Sequence, residues 1–180
     1  MPNSDFTKKA LKSALWELVE EESFEKVTIS QICDKCGMNR NSFYYHFKDK
    51  YDLINWIFDT DYIELAKDQP VANWELLKSL CNYLYENQNF YRKIFKIEGQ
   101  NSFSEHFQEF LYPLIYSRVK TLIGKDDIHP FCINFLADGI LCALKRWLLD
   151  KDCLPPDQFV SILKTIIQGT AIAVYDEVNN

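Results

Sequence analysis

The stretch Thr28–Leu53, TISQICDKCGMNRNSFYYHFKDKYDL, contains two short helical patterns with almost no chain between them. Thr28 is a good N-cap, and apolar residues recur after it at helical spacing. Gly37 can end that helix, because glycine readily takes the left-handed backbone conformation of a C-cap. Asn39 can cap a second helix, Arg40–His46, which is too short to be stable unless it packs on the first. Two helices joined by a turn with glycine predict a helix-turn-helix motif.

The second helix has the composition of a recognition helix. Arg40 and Asn41 stand at its N-terminal end, where base edges are met first, and their side chains can pair bidentately with guanine and adenine. The segment Lys35–Lys50 is basic in a chain whose net charge is −6, so the positive charge is local. An alternative remains open at this point, namely a solvated, aromatic-rich helix pair within an ordinary helical bundle.

The longer stretch VTISQICDKCGMNRNSFYYHFKDKYDLINWIF resembles the DNA-binding domain of TetR/AcrR-type transcriptional regulators. The resemblance rests on Thr28, on Gly37, and on FYYHF at 43–47 followed by KDK and Leu53. It implies that Tyr44 and Lys50 hold phosphates and that the other polar residues of the second helix face bases or the groove wall. The predicted DNA-contacting residues are Thr28, Arg40, Asn41, Ser42, Tyr44, Tyr45, His46, Lys48 and Lys50.

Composition predicts an all-α protein. Hydrophobic residues make up 47% and charged residues 26% of 180 residues, with only 5 Gly and 6 Pro, which is typical of a globular chain. No apolar run approaches the roughly 20 residues that span a bilayer, and the first residues lack a signal-peptide pattern. We therefore expect no membrane partner and a cytoplasmic location.

Two domains are expected. Residues 1–52 form a three-helix DNA-binding domain, and residues 53–180 form a helical dimerisation and effector bundle. A long fourth helix, Lys50–Lys67, leaves the DNA-binding domain and is the natural lever between the two parts. The helices expected after it are Trp74–Asn87, Asn89–Ile97, Phe103–Ile123, one from His129-Pro130 to Asp150, and Asp157–Val178.

The last two predicted helices are apolar on more than one face, which indicates a central position in a bundle or an interface. TetR-like proteins dimerise through a four-helix bundle of these helices, so the resemblance agrees with the pattern and implies a homodimer on a palindromic, double-stranded operator. The predicted dimer-interface residues are Phe135, Leu136, Ile140, Trp147, Ile162, Ile166 and Ala173.

Aromatic residues are abundant before these helices, and most can simply fill a core. Some are expected to line an effector pocket beside the fourth helix, since ligand sites are mostly apolar with a few polar groups. The predicted pocket residues are Trp56, Thr60, Tyr83, Phe103, Phe107 and Phe110.

A second resemblance concerns YLYENQNFYRKIF at 83–95 together with Trp56-Ile57-Phe58. These segments resemble the TetR-type regulators associated with dihydroxyacetone kinase operons, which implies that a protein partner can replace a small ligand. The prediction is a repressor relieved by effector binding. The alternatives are an activator gated by a protein partner and a helical interaction dimer without DNA binding.

Catalytic and metal-binding patterns are weak. Cys33 and Cys36 form a CxxC pair, but a zinc site needs two further ligands, and both positions suit small apolar thiols in the first helix of the motif. The sequence contains no phosphate loop, nucleophile elbow or Ser/Cys-His set. We expect no enzymatic activity, no cofactor and no metal.

Overall fold

A computed structural model describes residues 2–63, 66, 74–97, 103–124 and 128–179, and it describes their side chains except at 2–3, 122–123 and 170–179. Within these ranges every regular element is helical, so the all-α prediction is confirmed. The elements are α1 (Pro2–Glu21), α2 (Ile29–Lys35), α3 (Arg40–His46), α4 (Lys50–Phe58), α5 (Trp74–Glu86), α6 (Gln88–Ile94), α7 (Phe103–Ile123), α8 (Pro130–Leu149) and α9 (Pro156–Asn179).

The fourth helix differs from its prediction. The α-helical part ends at Phe58, and Asp59–Ile63 continues as a π-helical turn. Tyr62 of this turn is buried and stacks on Phe58. Single π-helical turns of this kind occur mostly within longer α-helices. The rest of the predicted helix, up to Lys67, lies mostly outside the described residues, as do the loop 98–102 and the side chain of Ala173.

The chain divides into two compact units at places other than residue 52. The first unit comprises Met1–Leu65 and Gln88–Phe103, and the second comprises Ala66–Asn87 and Ser104–Asn180. The helix α6 therefore belongs with the DNA-binding motif, although the sequence predicted that it belongs to the effector domain.

Aromatic packing explains why α6 joins the first unit. The ring of Phe90 on α6 stacks on Trp16 of α1 with centroids 4.0 Å apart and an interplanar angle of 2°. Tyr91 is completely buried and meets Phe58 and Phe103 edge-on or tilted, at 6.4 and 5.6 Å. Aromatic side chains bury large areas, so this cluster fixes α6 on α1 and α4.

A lysine reinforces that packing. Lys93 of α6 donates hydrogen bonds to the backbone carbonyls of Val19, Glu20 and Glu22, the last two at 2.9 and 3.2 Å. These carbonyls lie at the end of α1, where the last turn leaves acceptors without partners and the helix dipole is negative. A cation at this place satisfies both requirements.

The second unit is held by α5, α7, α8 and α9. Trp147 of α8 stacks on Phe159 of α9 at 4.5 Å and on Tyr85 of α5 at 6.2 Å, and its indole donates to the carbonyl of Leu154. Helix α8 begins with Pro130 after His129, whose Nδ1 accepts the N–H of Phe131. Proline suits the first turn of a helix because its missing N–H would have no partner there.

Candidate nucleic-acid interface

The start of α2 is fixed by a reciprocal cap. The Thr28 hydroxyl accepts the N–H of Gln31 at 3.2 Å, and the Gln31 side chain accepts the N–H of Thr28 at 2.8 Å. The Gln31 amide also donates to Glu22 at 2.9 Å. This capping box satisfies two N–H groups that the first helical turn leaves free. Thr28 is exposed, and its hydroxyl is already committed to the cap.

The turn between α2 and α3 uses the glycine and the asparagine that the sequence indicated. Gly37 has a φ of 68°, in the left-handed region that glycine enters without steric cost. Asn39 caps α3, and its side-chain oxygen accepts from both the N–H and the hydroxyl of Ser42, at 2.8 and 3.0 Å. The two helix caps and the glycine turn that the sequence predicted are therefore present, and the helix-turn-helix prediction is confirmed.

Helix α3 is anchored on one side and open on the other. Phe43 and Phe47 are buried, at 0% and 3% exposure, whereas Tyr44 and Tyr45 are 56% and 80% exposed. Tyr44 and Tyr45 are among the large side chains that the protomer leaves exposed. A DNA groove is a surface that would cover them.

The other predicted contact residues surround these tyrosines. Arg40, Asn41 and Lys48 are exposed, and His46 is half-buried with its ring edge against Tyr45. The guanidinium of Arg40, at the start of α3, donates to the Ser30 hydroxyl on α2, and this hydrogen bond links the two helices of the motif. Of the predicted contact residues, Arg40, Asn41, Tyr44, Tyr45 and Lys48 are exposed in the protomer, and their contact with DNA stays a prediction.

Lys50 is the exception. Its ammonium donates to the backbone carbonyls of Phe24, Glu25 and Val27 at 2.8, 3.0 and 2.7 Å, and lies 4.4 Å from the centre of the Phe24 ring. Burial lowers the pKa of this ammonium below its usual value, although Glu25 and Glu22 oppose the shift. An ammonium has three donors, so these carbonyls occupy all of them. We therefore assign Lys50 a positioning role in place of the predicted phosphate contact.

One cation of α1 lies beside the motif. The ammonium of Lys8 is 5.8 Å from the centre of the Phe47 ring and 5.5 Å from that of Trp56. Aromatic faces attract cations, so Lys8 is held at the base of α3.

The CxxC pair is packed inside the motif. Cys33 is buried, and Cys36 is half-buried with its thiol donating to the carbonyl of Ile32 at 3.2 Å. Burial raises the pKa of both thiols, which disfavours the thiolate needed for metal binding or redox chemistry. In the part of the chain that the structure describes, no three His, Cys, Asp or Glu side chains cluster as metal ligands.

Five of the seven predicted dimer residues separate into two groups, while Leu136 is half-buried and the side chain of Ala173 lies outside the described residues. Phe135, Ile162 and Ile166 are 66%, 49% and 57% exposed, as an interface residue of an isolated protomer should be. Ile140 and Trp147 are 9% and 6% exposed. We therefore remove these two from the predicted interface, because their side chains already pack within the protomer.

The predicted effector residues are not brought together within one unit. Trp56, Thr60 and Phe103 belong to the first unit, whereas Tyr83, Phe107 and Phe110 belong to the second. A cavity does lie within the second unit, but other residues line it. They are Trp74, Leu76, Leu77, Leu80, Leu111, Leu114, Ile115, Arg118, Val119, Leu136, Ile140 and Ile167.

Comparison with known proteins identifies this architecture. Residues 11–57 match the family described as bacterial regulatory proteins, tetR family, and residues 72–169 match the one described as transcriptional regulator C-terminal region. The HTH-type dhaKLM operon transcriptional activator DhaS of Lactococcus lactis is 31% identical over 81% of this chain and 81% of its own length. The HTH-type transcriptional regulator SAR2658 of Staphylococcus aureus is 26% identical over 74% of this chain and 75% of its own.

Solved structures of two regulators are also similar to this chain. The dihydroxyacetone kinase operon activator DhaS has a TM-score of 0.60 and 26% identity, covering 90% of this chain and 96% of that one. A TetR transcriptional regulator from Streptococcus agalactiae has a TM-score of 0.72 at 22% identity, covering 92% and 96%, which shows the shared fold.

The motif, its exposed aromatic face and these matches define a helix-turn-helix, DNA-binding transcriptional regulator. More particularly, the chain belongs to the TetR family. Both resemblances drawn from the sequence are thereby confirmed. None of the described helices is long and apolar enough to cross a membrane.

Proposed function

We propose that the protein acts as a homodimer that binds a palindromic operator in the cytoplasm, without catalysing a reaction. The observation that carries this proposal is the exposed face of α3, where Tyr44 and Tyr45 stand in solvent above the buried Phe43 and Phe47. In helix-turn-helix dimers the two recognition helices read half-sites about one DNA turn apart, so operator symmetry mirrors protein symmetry.

The exposed apolar face of the last two helices supports the dimer. Phe131 and Phe135 of α8 stack on each other at 6.5 Å while 68% and 66% exposed. Ile162 and Ile166 of α9 are also open, and the small residue Gly169 follows on the same helix. Large apolar groups of this kind mark interaction surfaces. A second copy of the chain would bury both helices in an isologous interface.

The signal that controls DNA binding has two candidate forms. A small effector that relieves repression is supported by the cavity in the second unit. A protein partner that gates activation is supported by the likeness to DhaS, a relative whose name describes an operon activator. An effector of either kind works only by binding the DNA-competent and the incompetent arrangement with different affinity.

Helix α6 gives the signal a route into the first unit. It is joined to α1 through the Phe90–Trp16 stack and the three carbonyl bonds of Lys93. Any displacement of α6 must therefore move α1 or break these contacts. We propose that α6 acts with α4 in setting the position of the DNA-binding motif.

The test begins with DNA selection from a random pool, which should return an inverted repeat. Tyr45→Ala should weaken binding to the selected site by about 1–3 kcal/mol if the tyrosine reads a base edge, with unchanged thermal stability because the side chain is 80% exposed. Asn89→Ala, at an exposed and uncharged position of the first unit outside α2 and α3, is the matched control. Selection of a site without symmetry would contradict the dimeric proposal.

The sign of regulation needs a separate experiment. A reporter gene placed behind the selected operator should be measured with and without the regulator in the same host. A rise in expression on deletion supports repression, and a fall supports partner-gated activation.

A further inference from the structure

The cavity of the second unit has a volume of about 80 Å³ and is lined by α5, α7, α8 and α9. Its wall is mainly leucine, isoleucine and valine, among them Leu80, Leu111 and Ile115. Among the described residues that line this wall, only the side chains of Trp74 and Arg118 carry nitrogen donors. The cavity is thus an apolar space with its polar groups confined to two residues, which is how small-molecule sites are commonly built.

Those two residues carry hydrogen-bond donors that the protein leaves unused. Among the described residues, neither the Nε of Arg118 nor the Nε1 of Trp74 finds an acceptor, although both atoms are buried. The Arg118 guanidinium lies 5.3 Å from the centre of the Trp74 ring, so the donors are neighbours. Leaving a buried donor unpaired destabilises the fold, and such groups are rare enough to require a reason.

We propose that this cavity binds a short-chain monocarboxylate. The carboxylate accepts hydrogen bonds from Arg118 and Trp74, and its hydrocarbon chain lies against the leucine and isoleucine wall. Both unused groups are donors, so a head group that only accepts satisfies them without leaving a proton of its own unpaired. The planar guanidinium also matches carboxylate geometry.

Charge and size define the ligand further. The ammonium of Lys164 on α9 lies 5.9 Å from the centre of the Trp74 ring, so a second positive charge favours an anion here. The volume is about half that of the ~150 Å³ cavity that accepts benzene in an engineered protein. A chain of a few carbons fits, and a long fatty acid does not. This inference rests on the proposed function, because it names the ligand class for the effector-controlled form of regulation.

Calorimetric titration of the full-length protein with acetate, propionate and butyrate tests the site, with the alcohols of equal chain length as matched ligands. We expect the carboxylates to bind and the alcohols to bind at least tenfold more weakly. The variant Arg118→Met keeps the aliphatic stem and should weaken carboxylate binding at least tenfold. Arg146→Met, on the exposed face of α8, should bind like the wild type.

A second variant tests the site without changing Arg118, in case Arg118→Met fails to fold. Ile115→Phe fills the cavity from its wall and should abolish carboxylate binding while Arg118 remains in place. Circular dichroism and melting establish that each variant is folded. Equal binding of alcohols and carboxylates, or binding that Arg118→Met and Ile115→Phe leave intact, would overturn the proposal, as would the absence of carboxylate binding to the wild type.

Operator binding is measured separately, with and without the carboxylate. If the carboxylate binds but leaves operator affinity unchanged, the site stands and the effector-controlled form of the proposed function fails. If the wild type binds operator but no carboxylate, the site fails and DNA recognition stands. The two failures are therefore distinguishable.

Discussion

Replacing Lys50 by methionine separates a positioning role from a phosphate contact. Methionine keeps most of the side-chain length but removes the ammonium that holds the carbonyls of Phe24, Glu25 and Val27. Hydrogen bonds from charged donors contribute about 1.5–3 kcal/mol each. Because Lys50 is half-buried and water can replace part of the set, we expect a loss of about 2 kcal/mol in the free energy of unfolding.

Urea denaturation gives that free energy, and operator affinity measured over a range of salt concentrations gives the number of phosphate contacts. Each phosphate contact contributes about 0.9 to the slope of log K against log salt. A positioning role for Lys50 predicts weaker operator binding with an unchanged slope, since the loop before α2 is displaced but no phosphate contact is removed.

Lys48→Met is the matched control, because Lys48 is exposed beside α3 and within the described residues only its backbone is hydrogen-bonded. We expect this variant to keep its stability and to lower the slope by about 1. The reasoning would be refuted if Lys50→Met unfolded like the wild type and lowered the slope by about 1, because Lys50 would then contact phosphate as the sequence alone predicted.

Three further predictions concern the rest of the molecule. Lys93→Met should lower the free energy of unfolding by about 2 kcal/mol and weaken operator binding without changing the salt slope; unchanged unfolding in urea would show that its carbonyl bonds contribute nothing. Ile166→Glu should give monomers in sedimentation because it places an unpaired charge in an apolar interface. Lys151→Glu, at an exposed position in the turn after α8, is the control, and a wild-type dimer in both variants would refute this interface. A thiol reagent at neutral pH should modify the exposed Cys132 and Cys142 before Cys81, which should react only on unfolding because burial raises the pKa of its thiol to about 12. If the dimer covers α8, the variant Ile166→Glu should accelerate the modification of Cys132 and Cys142.

The DNA-binding motif was largely predictable because its signals are local. Thr28, Gly37 and Asn39 act on residues within a few positions of themselves, through caps and a left-handed turn. The alternation of Phe43 and Phe47 with exposed tyrosines also follows from helical periodicity. These features need no knowledge of the rest of the chain.

The role of Lys50 and the location of the cavity were not predictable in the same way. Lys50 and its acceptors are separated by 23 to 26 positions, and nothing in the local pattern distinguishes a lysine that binds carbonyls from one that binds phosphate. Phe103 and Phe107, two of the predicted pocket residues, are buried in the core, whereas the cavity of the second unit is lined mainly by leucines with Arg118. Composition does not reveal where packing leaves a gap.

By itself, the sequence determined the helical class, the motif and its turn, and the family, because caps, periodicity and motif residues are properties of short segments. Only the tertiary structure decided that α6 joins the DNA-binding unit, and that Trp147 lies within the protomer while Phe135 stays open. Both decisions depend on contacts between residues far apart in the chain, such as Trp16 with Phe90. An apolar helix pattern shows that a side chain needs burial, and only the packed structure shows whether the protomer or a partner provides it.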